Sequence, residues 1–407
     1  MKRFDRRHAA VAVLTGAMLL GCATVAGASA MAGTDTGTDM ASAVNVDATE
    51  TSGGEEFAAA AAVSRTIPAA TPVLAIHGGA GVVRAGLSDE DQAAARAGLE
   101  RALLAGHAKL RAGAPALDAV VAAITVLEDD PAFNAGRGAV FTHEGRNELD
   151  ASLMDGRDRN AGAIAGVQRV RNPILLARAV MERSPHVMLA GRGAEAFAEG
   201  QGIELVDPSY FRTERRWEQL QRALRKEAAD GAEAGAGLGI DADADADAVT
   251  AGMPAADREG LKYVGTVGAV ALDVGGHLAA GTSTGGMTNK RWGRIGDSPV
   301  IGAGTWADEG CAVSGTGWGE FYLRTAAAHE VCARVRHRGE DIAAAAEAVI
   351  NGEVVQAGGD GGAIALDAKG RVAFPFNTEG MYRGWIGADG VPHVAVFADE
   401  SLPLPAD

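Results

Sequence analysis

Residues 264–273 are Val264-Gly265-Thr266-Val267-Gly268-Ala269-Val270-Ala271-Leu272-Asp273. Small and β-branched apolar residues fill 266–272, a pattern typical of a β-strand. Gly275-Gly276 follows as a turn, and His277–Thr282 as a second strand, so the pattern predicts a hairpin. A long acidic segment of low complexity precedes Gly265. Taken alone, the stretch could still be an ordinary core strand with a Thr at its edge.

The Gly265–Thr266 pair suggests a specific chemistry. If the bond between them is cut, Thr266 carries both a hydroxyl and a free α-amine, so nucleophile and base share one residue. An α-amine has an unperturbed pKa of about 7.7–8.0, so it can act as a base near neutral pH. Gly265 has no Cβ, which permits the twisted approach of the Thr266 hydroxyl to the preceding carbonyl. These features indicate a self-cleaving hydrolase.

The composition is that of a soluble globular protein. The chain has 407 residues, of which 47% are hydrophobic and 22% charged. This length allows one large domain or two ordinary ones. The net charge of −16 argues against nucleic acid and against anionic membrane surfaces as partners.

The first 30 residues resemble an export signal. Basic residues precede an apolar run, Ala9–Leu20, that is too short for a membrane span. Leu19-Leu20-Gly21-Cys22 matches a lipoprotein box, which would place a lipid anchor on Cys22, whereas Ala28-Ser29-Ala30 matches an ordinary cleavage site. The pair Arg6-Arg7 leaves the export route open between the general and twin-arginine pathways. We therefore expect an exported, periplasmic protein, either soluble or lipid-anchored.

Composition divides the rest of the chain into four segments. Residues 31–71 are small, polar or acidic and predict a disordered tether. Residues 72–227 form the first folded part and end with a polar helix over Glu214–Arg225. Residues 228–265 are an acidic linker whose alternating Asp residues at 241–247 lack the glycine and terminal Glu of a calcium loop. Residues 266–407 form the second folded part.

Strands and helices alternate in a way that predicts stacked sheets between two helical layers. Val73–Ile76 is a strand followed by a glycine turn, and His77 is expected to be a hydrogen-bonded strand-end residue rather than a metal ligand. A helix runs from Ser88 to Arg111 and another begins near Ala116. Further strands are predicted within Ala139–Leu153 and Ala161–Val170, and near Pro299–Ala303, Cys311–Ser314, Ala363–Asp367, Arg371–Phe376 and His393–Phe397, with helices over Phe321–Arg336 and Ile342–Asn351.

Only Cys22, Cys311 and Cys332 are present, so a disulfide framework is excluded. Cys311 and Cys332 could pair in an oxidising compartment, but two buried thiols are the favoured interpretation. Their spacing matches no zinc pattern.

Three clusters after Thr266 could contribute to a site. Thr282-Ser283-Thr284-Gly285-Gly286 either lies beside Thr266 or is a polar strand end exposed to water. Arg294 and Asp297 either pair with each other or hold the carboxylate and ammonium of an amino-acid substrate. Ser314-Gly315-Thr316-Gly317-Trp318-Gly319-Glu320 joins a strand to a helix, and its N–H groups could stabilise an oxyanion.

These motifs, in this order, resemble the isoaspartyl peptidase/L-asparaginase family, the plant-type enzymes among the N-terminal nucleophile hydrolases. The resemblance also covers the first half of the chain and extends from Pro72 to Phe397. Its motifs there are Ala75-Ile76-His77-Gly78-Gly79-Ala80-Gly81, Phe133-Asn134-Ala135-Gly136, Leu149-Asp150-Ala151 and Ser184-Pro185-His186-Val187-Met188.

The resemblance implies an α+β fold, a four-layer αββα sandwich. It implies autocatalytic cleavage between Gly265 and Thr266 into α and β chains, which assemble as an (αβ)2 heterotetramer. Thr266 would be the nucleophile and Thr284 would orient its hydroxyl. The other implied site residues are Thr316 and Gly317 at the oxyanion, Arg294 at the substrate carboxylate, Asp297 at its ammonium, Gly319 beside them, and Asn134 near the nucleophile.

No cofactor is expected for catalysis, but relatives hold a structural sodium on backbone carbonyls. The resemblance assigns that loop to residues 127–137 here. The matching carbonyls belong to Leu127, Glu128, Asp130, Phe133, Ala135 and Arg137.

The expected function is hydrolysis of β-aspartyl (isoaspartyl) peptides and L-asparagine at the β-carbonyl, with release of L-aspartate. Two alternatives stay open: a glycosylasparaginase, although that type has Asp where Gly265 stands, and a non-catalytic periplasmic lipoprotein of the same fold. A dipeptide and free asparagine present the same carboxylate, ammonium and β-carbonyl, so the sequence does not rank these two substrates.

Overall fold

The computed structural model describes residues 70–237 and 265–404, all within one unit that spans Arg65–Asp407. Several predicted features lie outside the described residues. They are the export signal with Cys22 and Ala28-Ser29-Ala30, the tether up to residue 69, and the Asp-rich run at 241–247.

Within the described ranges the strands form two sheets. The larger has the order β12-β11-β1-β5-β6-β2-β3-β4, and its pairs are antiparallel except for β3 with β4. Its strands are β1 (Val73–Ala80), β2 (Leu149–Asp155), β3 (Ala161–Val167), β4 (Met188–Ala190), β5 (Val267–Leu272), β6 (Leu278–Thr284), β11 (Gly380–Ile386) and β12 (His393–Phe397). The smaller has the order β10-β9-β8-β7, with β7 (Thr305–Ala307), β8 (Cys311–Gly317), β9 (Gly361–Asp367) and β10 (Val372–Ala373).

The helices form two groups along the chain, one before β5 and one after β8. The first group comprises α1 (Asp89–Arg111), α2 (Ala116–Asp129), α3 (Pro173–Arg183), α4 (Gly191–Gly200) and α5 (Glu214–Gly237). The second comprises α6 (Gly319–Thr325), α7 (Ala327–Arg338), α8 (Ile342–Glu347), a π-helical turn (Ala348–Glu353) and α9 (Val354–Gln356). Among the described helices, none combines the length and apolarity that crossing a bilayer requires.

Three hydrophobic cores define the layers. One lies between the larger sheet and α1–α4, one between the smaller sheet and α7–α9, and one between the two sheets. Strand β5 contributes to two of them: Val267, Ala269 and Ala271 face the helices, while Val270 and Leu272 face the second sheet. This is the period of two expected of a strand buried on both faces. The order helix, sheet, sheet, helix confirms the predicted αββα sandwich.

The predicted hairpin after Thr266 is also confirmed. Strands β5 and β6 pair antiparallel with Gly268 opposite Thr282 and Leu272 opposite Leu278, and Gly275-Gly276 lies in the turn. Strand β1 pairs with the other edge of β5, with His77 opposite Gly268. β5 therefore lies between two neighbours at the centre of the larger sheet.

Several predicted elements were wrong in extent. Strand β1 continues through Ala80 with a bulge after His77, where a turn was expected. Strand β11 was not predicted because two glycines and the buried Arg383 obscure its pattern. The guanidinium of Arg383 donates to the backbone carbonyls of Met381, Val396 and Phe397, so the buried charge is satisfied without a carboxylate.

Two other segments differ from the prediction. The segments near Ala139 and over Pro299–Ala303 form only isolated bridges, at Thr142 and Ile301. The helix expected over Phe321–Arg336 is broken at Ala326, which has a left-handed φ of 48°. The first N–H groups of α7 then donate to the carbonyls of Gly302 and Ala303, so tertiary bonds replace the helical ones at the break.

Helix α5 continues to Gly237, beyond the predicted end at Arg225. The added residues are rich in Ala, which has the highest helix propensity, although three glycines lie among them. Glu227 bonds to Asn289 and Arg291, so this part of α5 is tied to the loop that follows β6.

Cys311 and Cys332 form a disulfide, so the expectation of two free thiols was wrong. The bond joins β8 to α7 over a sequence separation of 21 residues, with the two Cα atoms 5.4 Å apart. Sequence alone could not show that α7 packs directly over β8.

We expect the replacement of both cysteines by Ala to lower the free energy of unfolding by about 3 kcal/mol, because the bond restricts the unfolded chain. Urea unfolding of the parent and the double variant, both without reductant, measures this difference. Unfolding the parent in the presence of reductant is the control. Equal midpoints for the oxidised parent and the double variant would contradict the prediction.

Candidate active site

A small cavity lies at one end of the layer between the two sheets. Thr266 stands just before β5, Thr284 ends β6, and Thr316 is near the end of β8. These three hydroxyls occur at even positions that face the other sheet, so strand register brings them together. The residues that line the cavity are Asn134, Gly265, Thr266, Thr284, Gly286, Met287, Arg294, Gly296, Asp297, Ser298, Thr316 and Gly317.

Thr284 holds the hydroxyl of Thr266. The Thr266 Oγ1 donates to Thr284 Oγ1 at 3.1 Å, and the Gly286 N–H donates to the same Thr284 oxygen at 3.0 Å. Thr284 is only 3% exposed, so its cluster is not a polar strand end in water. This arrangement fixes one side-chain direction for Thr266.

Gly265 and Gly79 are in contact through their backbones. Gly265 has a φ of +39°, which favours glycine, and a Cβ built on it would lie 2.4 Å from the Gly79 Cα. A Cβ on Gly79 would lie 1.9 Å from the Gly265 Cα. Both positions therefore require glycine, and the bond before Thr266 is held against the bulge in β1.

His77 contacts the backbone of Thr266, a role that the sequence did not suggest. Its Nδ1 is 3.0 Å from the Thr266 carbonyl oxygen and its Nε2 is 2.8 Å from Ser314 Oγ. Burial lowers the pKa of His77 to about 3, despite the bond to Thr266, which raises it. The ring is therefore neutral. The expectation of a hydrogen-bonded histidine was correct, but its position is within β1 rather than at the strand end.

The hydroxyl of Thr316 can donate a hydrogen bond to a group in the cavity. Its Oγ1 accepts a bond from the Ala80 N–H at 3.2 Å, which leaves the hydroxyl proton free to be donated elsewhere. Gly317 follows at a φ of +155°, and a Cβ there would lie 2.4 Å from the Asp360 carbonyl oxygen. Gly317 lines the same cavity as Thr266 and adds no side chain to it.

Arg294 pairs with Glu320 and not with Asp297 among the described residues. Its Nε and Nη2 donate to the two Glu320 carboxylate oxygens at 2.9 and 2.8 Å. Burial lowers the pKa of Arg294, but the bonds to Glu320 outweigh this effect and raise it. Glu320 thus orients a guanidinium at the cavity wall, and mutual pairing of Arg294 with Asp297 is contradicted.

Asp297 is a buried carboxylate beside this guanidinium. Its Oδ2 has no hydrogen-bond partner among the described residues. Burial raises the pKa of Asp297 to about 7, although the nearby charge of Arg294 lowers it. A cationic group in the cavity would supply the missing bond and charge.

Gly319 leaves room for the side chains of both Arg294 and Asp297. A Cβ on Gly319 would lie 2.7 Å from Asp297 Oδ1 and 2.9 Å from Arg294 Nη2. A larger residue at the start of α6 would therefore push into both side chains.

Asn134 connects the first folded part to the loop after β6. Its Nδ2 donates to the Gly286 carbonyl at 2.8 Å and its Oδ1 accepts from the Val140 N–H at 3.0 Å. The Gly285 N–H donates to the Asn134 carbonyl at 3.1 Å. Asn134 therefore supports the Gly286 N–H that holds Thr284.

The comparison with known proteins agrees with this geometry. The family model described as asparaginase matches residues 70–396. This chain belongs to the asparaginase family. It is 46% identical over 330 residues to the isoaspartyl peptidase of Escherichia coli K12, covering 81% of this chain and 97% of that protein. It is 48% identical over 328 residues to a putative isoaspartyl peptidase/L-asparaginase of Dictyostelium discoideum, covering 78% and 94%.

The loop over residues 127–137 has the chemistry of a site for a hard cation. The loop is tightly folded. A Cβ on Gly136 would lie 2.3 Å from the Glu128 carbonyl oxygen, and a Cβ on Gly138 would lie 1.9 Å from the Phe133 carbonyl oxygen. Oxygen ligands of this kind suit alkali and alkaline-earth ions. Within the described residues, no group of three or more His, Cys, Asp or Glu side chains is arranged to hold a metal ion. A sodium ion in this loop stays a prediction of the family resemblance.

Sequence reasoning quoted three polar residues within its motifs but assigned none of them an individual role. Ser314 contacts His77, Glu320 pairs with Arg294, and the buried Asp150 lies close enough to Arg294 to affect its pKa. Each is a lone polar residue in or beside an apolar strand or glycine turn of a family motif. A single polar residue in such a setting indicates a functional or hydrogen-bonding role. The partners of these three residues lie too far away in the sequence to be identified from the sequence.

The raised pKa of Asp297 predicts that the free energy of unfolding decreases as pH rises. Its folded pKa of about 7 lies above the unfolded value, so its contribution to stability is present below about pH 4 and is lost as pH rises toward 7. We expect Asp297→Asn to unfold less easily than the parent above pH 7, with a difference that grows by up to about 1.4 kcal/mol per pH unit between pH 4 and 7. Urea unfolding of both proteins across this range measures it. A constant difference would contradict the raised pKa.

Proposed function

We propose that this hydrolase cleaves β-aspartyl peptides and L-asparagine at the β-carbonyl and releases L-aspartate, with Thr266 as its nucleophile. The observation that carries the proposal is the shared cavity. In it, the Thr266 hydroxyl bonds to Thr284, and Arg294 and Asp297 form a charged wall. The names of the relatives, isoaspartyl peptidase and L-asparaginase, support this substrate class.

Processing would come first. The Thr266 Oγ attacks the Gly265 carbonyl carbon, the new C–O bond replaces the C–N bond, and the released Thr266 nitrogen takes up a proton. Water then hydrolyses the resulting ester and frees the hydroxyl. The φ of +39° at Gly265 and its contact with Gly79 support this step, because they bend the chain at the bond to be cut.

Substrate recognition would use the two charges that the cavity presents. The guanidinium of Arg294 would bind the α-carboxylate, and the Asp297 carboxylate would bind the α-ammonium. Binding an ammonium favours ionised Asp297 and so lowers its pKa from the value in the free protein. An aspartyl moiety held by both ends would have its side-chain carbonyl available to Thr266.

Hydrolysis would then follow the chemistry of acyl transfer. The Thr266 α-amine takes the proton from Oγ, and Oγ attacks the β-carbonyl carbon. The Thr316 hydroxyl and the Gly317 N–H would stabilise the oxyanion, and donors of this kind contribute about 3–4 kcal/mol. The amine of the leaving group departs with the proton from Thr266. Water then cleaves the acyl-enzyme and releases aspartate.

A glycosylasparaginase is less well supported. That type has Asp in the position of Gly265, and any Cβ at this position would lie 2.4 Å from the Gly79 Cα. The backbone here has no room for the larger residue.

We also propose that the protein is exported and works as an (αβ)2 heterotetramer. The disulfide between Cys311 and Cys332 supports an oxidising compartment such as the periplasm. Lipid attachment at Cys22 stays a proposal from the sequence. Light scattering on the processed protein measures the assembly, and mass spectrometry of its N-terminus distinguishes lipid-modified Cys22 from cleavage after Ala30.

A structural sodium in the loop over 127–137 is proposed on the same basis. Its ligands would be the backbone carbonyls of Leu127, Glu128, Asp130, Phe133, Ala135 and Arg137. Asn134 lies in the same loop. Replacement of sodium by tetramethylammonium should lower the melting temperature if the site is filled.

Processing provides the first test. The purified protein should give two bands on a denaturing gel, and the smaller chain should begin with Thr266. Thr266→Ala should remain a single band and lack activity, because it removes the attacking hydroxyl. Cleavage of that variant at the same bond would contradict the assigned nucleophile. A single uncleaved band from the parent would instead favour the non-catalytic lipoprotein.

Substrate binding provides the second test. Arg294→Lys should raise KM for both β-Asp-Leu and L-asparagine by about 10- to 100-fold, because a charge-assisted hydrogen bond contributes about 1.5–3 kcal/mol. Steady-state kinetics on the two substrates measures this and also ranks them in the parent. The exposed Arg192→Lys is the control. An unchanged KM for both substrates would exclude Arg294 from carboxylate recognition.

A further inference from the structure

Thr266 becomes a chain terminus once the bond to Gly265 is cut. The ladder of β5 begins at Val267, opposite Ser283, so backbone pairing does not hold Thr266. Chain ends outside a ladder tend to fray. Two side-chain contacts hold it in place: its hydroxyl bonds to Thr284, and its carbonyl oxygen lies 3.0 Å from His77 Nδ1.

These two anchors determine where the amine points. The Cα of Thr266 bears the amine, the side chain and the carbonyl carbon in fixed tetrahedral directions. When Thr284 fixes the side chain and His77 fixes the carbonyl, the direction of the amine follows. Loss of either anchor would let the amine rotate away from the hydroxyl that it must deprotonate.

Hydrogen-bonding rules assign the tautomer of His77. A carbonyl oxygen can only accept, so the proton of the neutral ring lies on Nδ1 and is donated to Thr266. The bare Nε2 must then accept, and the hydroxyl of Ser314, 2.8 Å away, is the donor. The Thr266 carbonyl therefore selects the Nδ1–H tautomer, and the Ser314 hydroxyl satisfies the bare Nε2 of that tautomer.

Ser314 is itself held by a chain of buried hydroxyls between the two sheets. Thr282 Oγ1 lies 2.7 Å from Ser314 Oγ, and Thr305 Oγ1 lies 2.5 Å from Thr282 Oγ1. Ser152 continues the chain, 2.8 Å from Thr305 Oγ1 and 2.6 Å from the Ser298 carbonyl oxygen. His77 and all four hydroxyl residues are fully buried. The network thus runs from Thr266 to the residue after Asp297.

Gly268 gives independent support, because glycine in the middle of a strand marks a close approach. A Cβ on Gly268 would lie 2.0 Å from Ser314 Oγ and 2.4 Å from His77 Nε2. The bond between these two side chains therefore passes directly over the Gly268 backbone. The glycine at this position in β5 leaves room for that bond.

We propose that His77 is a positioning residue for Thr266, and that Ser314 acts through it by holding the Nδ1–H tautomer. The proposal rests on the function proposed above, in which Thr266 is the nucleophile. His77 does not touch the substrate in this assignment. Arg294 and Asp297 determine substrate binding, so the loss of His77 should reduce kcat and leave KM nearly unchanged.

Two substitutions of His77 separate its two nitrogens. Asn places an N–H donor near the position of Nδ1, whereas Gln places one near Nε2. We expect His77→Asn to retain kcat within about tenfold, and His77→Gln to lose about 100-fold, since a misplaced reacting group costs on that order. Rates on β-Asp-Leu are normalised to the processed fraction seen on a gel. Processing that is blocked in His77→Gln but preserved in His77→Asn would equally support the assignment.

Ser314→Ala and His107→Asn complete the design. Ser314→Ala removes the donor to Nε2 with little change in volume and should reduce kcat about tenfold, the equivalent of one hydrogen bond. His107 is another buried histidine, in α1 and away from Thr266. His107→Asn should alter the melting temperature but not kcat, which controls for general loss of stability.

Three results would overturn the proposal. They are parental kcat in His77→Gln, equal losses in His77→Asn and His77→Gln at parental melting temperature, and parental kcat in Ser314→Ala. The last remains decisive if the His77 variants do not fold. Failure of the proposed function is distinguishable, because the unsubstituted protein would then hydrolyse neither β-Asp-Leu nor L-asparagine.

Discussion

The burial of β5 on both faces is the constraint from which the site follows. One face packs on α2 and the other on the second sheet, so side chains along the strand alternate between two cores. Even-numbered positions enter the layer between the sheets. Thr266 stands at the open end of that row, and Gly268 and Val270 follow it inward. Thr266, the proposed nucleophile, is therefore positioned by the same packing that holds the sandwich together.

The site also requires that atoms of neighbouring segments approach the backbone closely, and glycine allows this at a few positions. Gly79 and Gly265 touch beside the Gly265–Thr266 bond, Gly268 leaves space for the bond between His77 and Ser314, and Gly319 leaves room for the Arg294 and Asp297 side chains. A Cβ at any of these positions would overlap atoms that the site needs. This explains why motifs of the asparaginase family contain so many glycines in this chain.

The charges at the site are stabilised unequally. Arg294 has a bidentate partner in Glu320, whereas Asp297 keeps one buried oxygen without a bond among the described residues. The free protein thus holds Asp297 at a cost to its stability, and a substrate ammonium would relieve that cost. A buried polar atom without a hydrogen-bond partner is typical of a binding site, because a ligand can supply the missing hydrogen bond. A carboxylate whose hydrogen bonds were all made within the protein would gain less from binding a ligand.

The sequence by itself determined the fold class, the hairpin after Thr266 and most of the cavity. Those features depend on the local pattern of apolar residues and on short motifs, and both can be recognised without knowing the tertiary structure. Tertiary structure decided the rest. The strand at Gly380–Ile386, the disulfide from Cys311 and the partners of His77 and Glu320 all depend on packing between segments distant in sequence. His77 and Ser314 are 237 residues apart and meet across two sheets. No local period encodes such a contact, because it exists only once both sheets have formed and stacked.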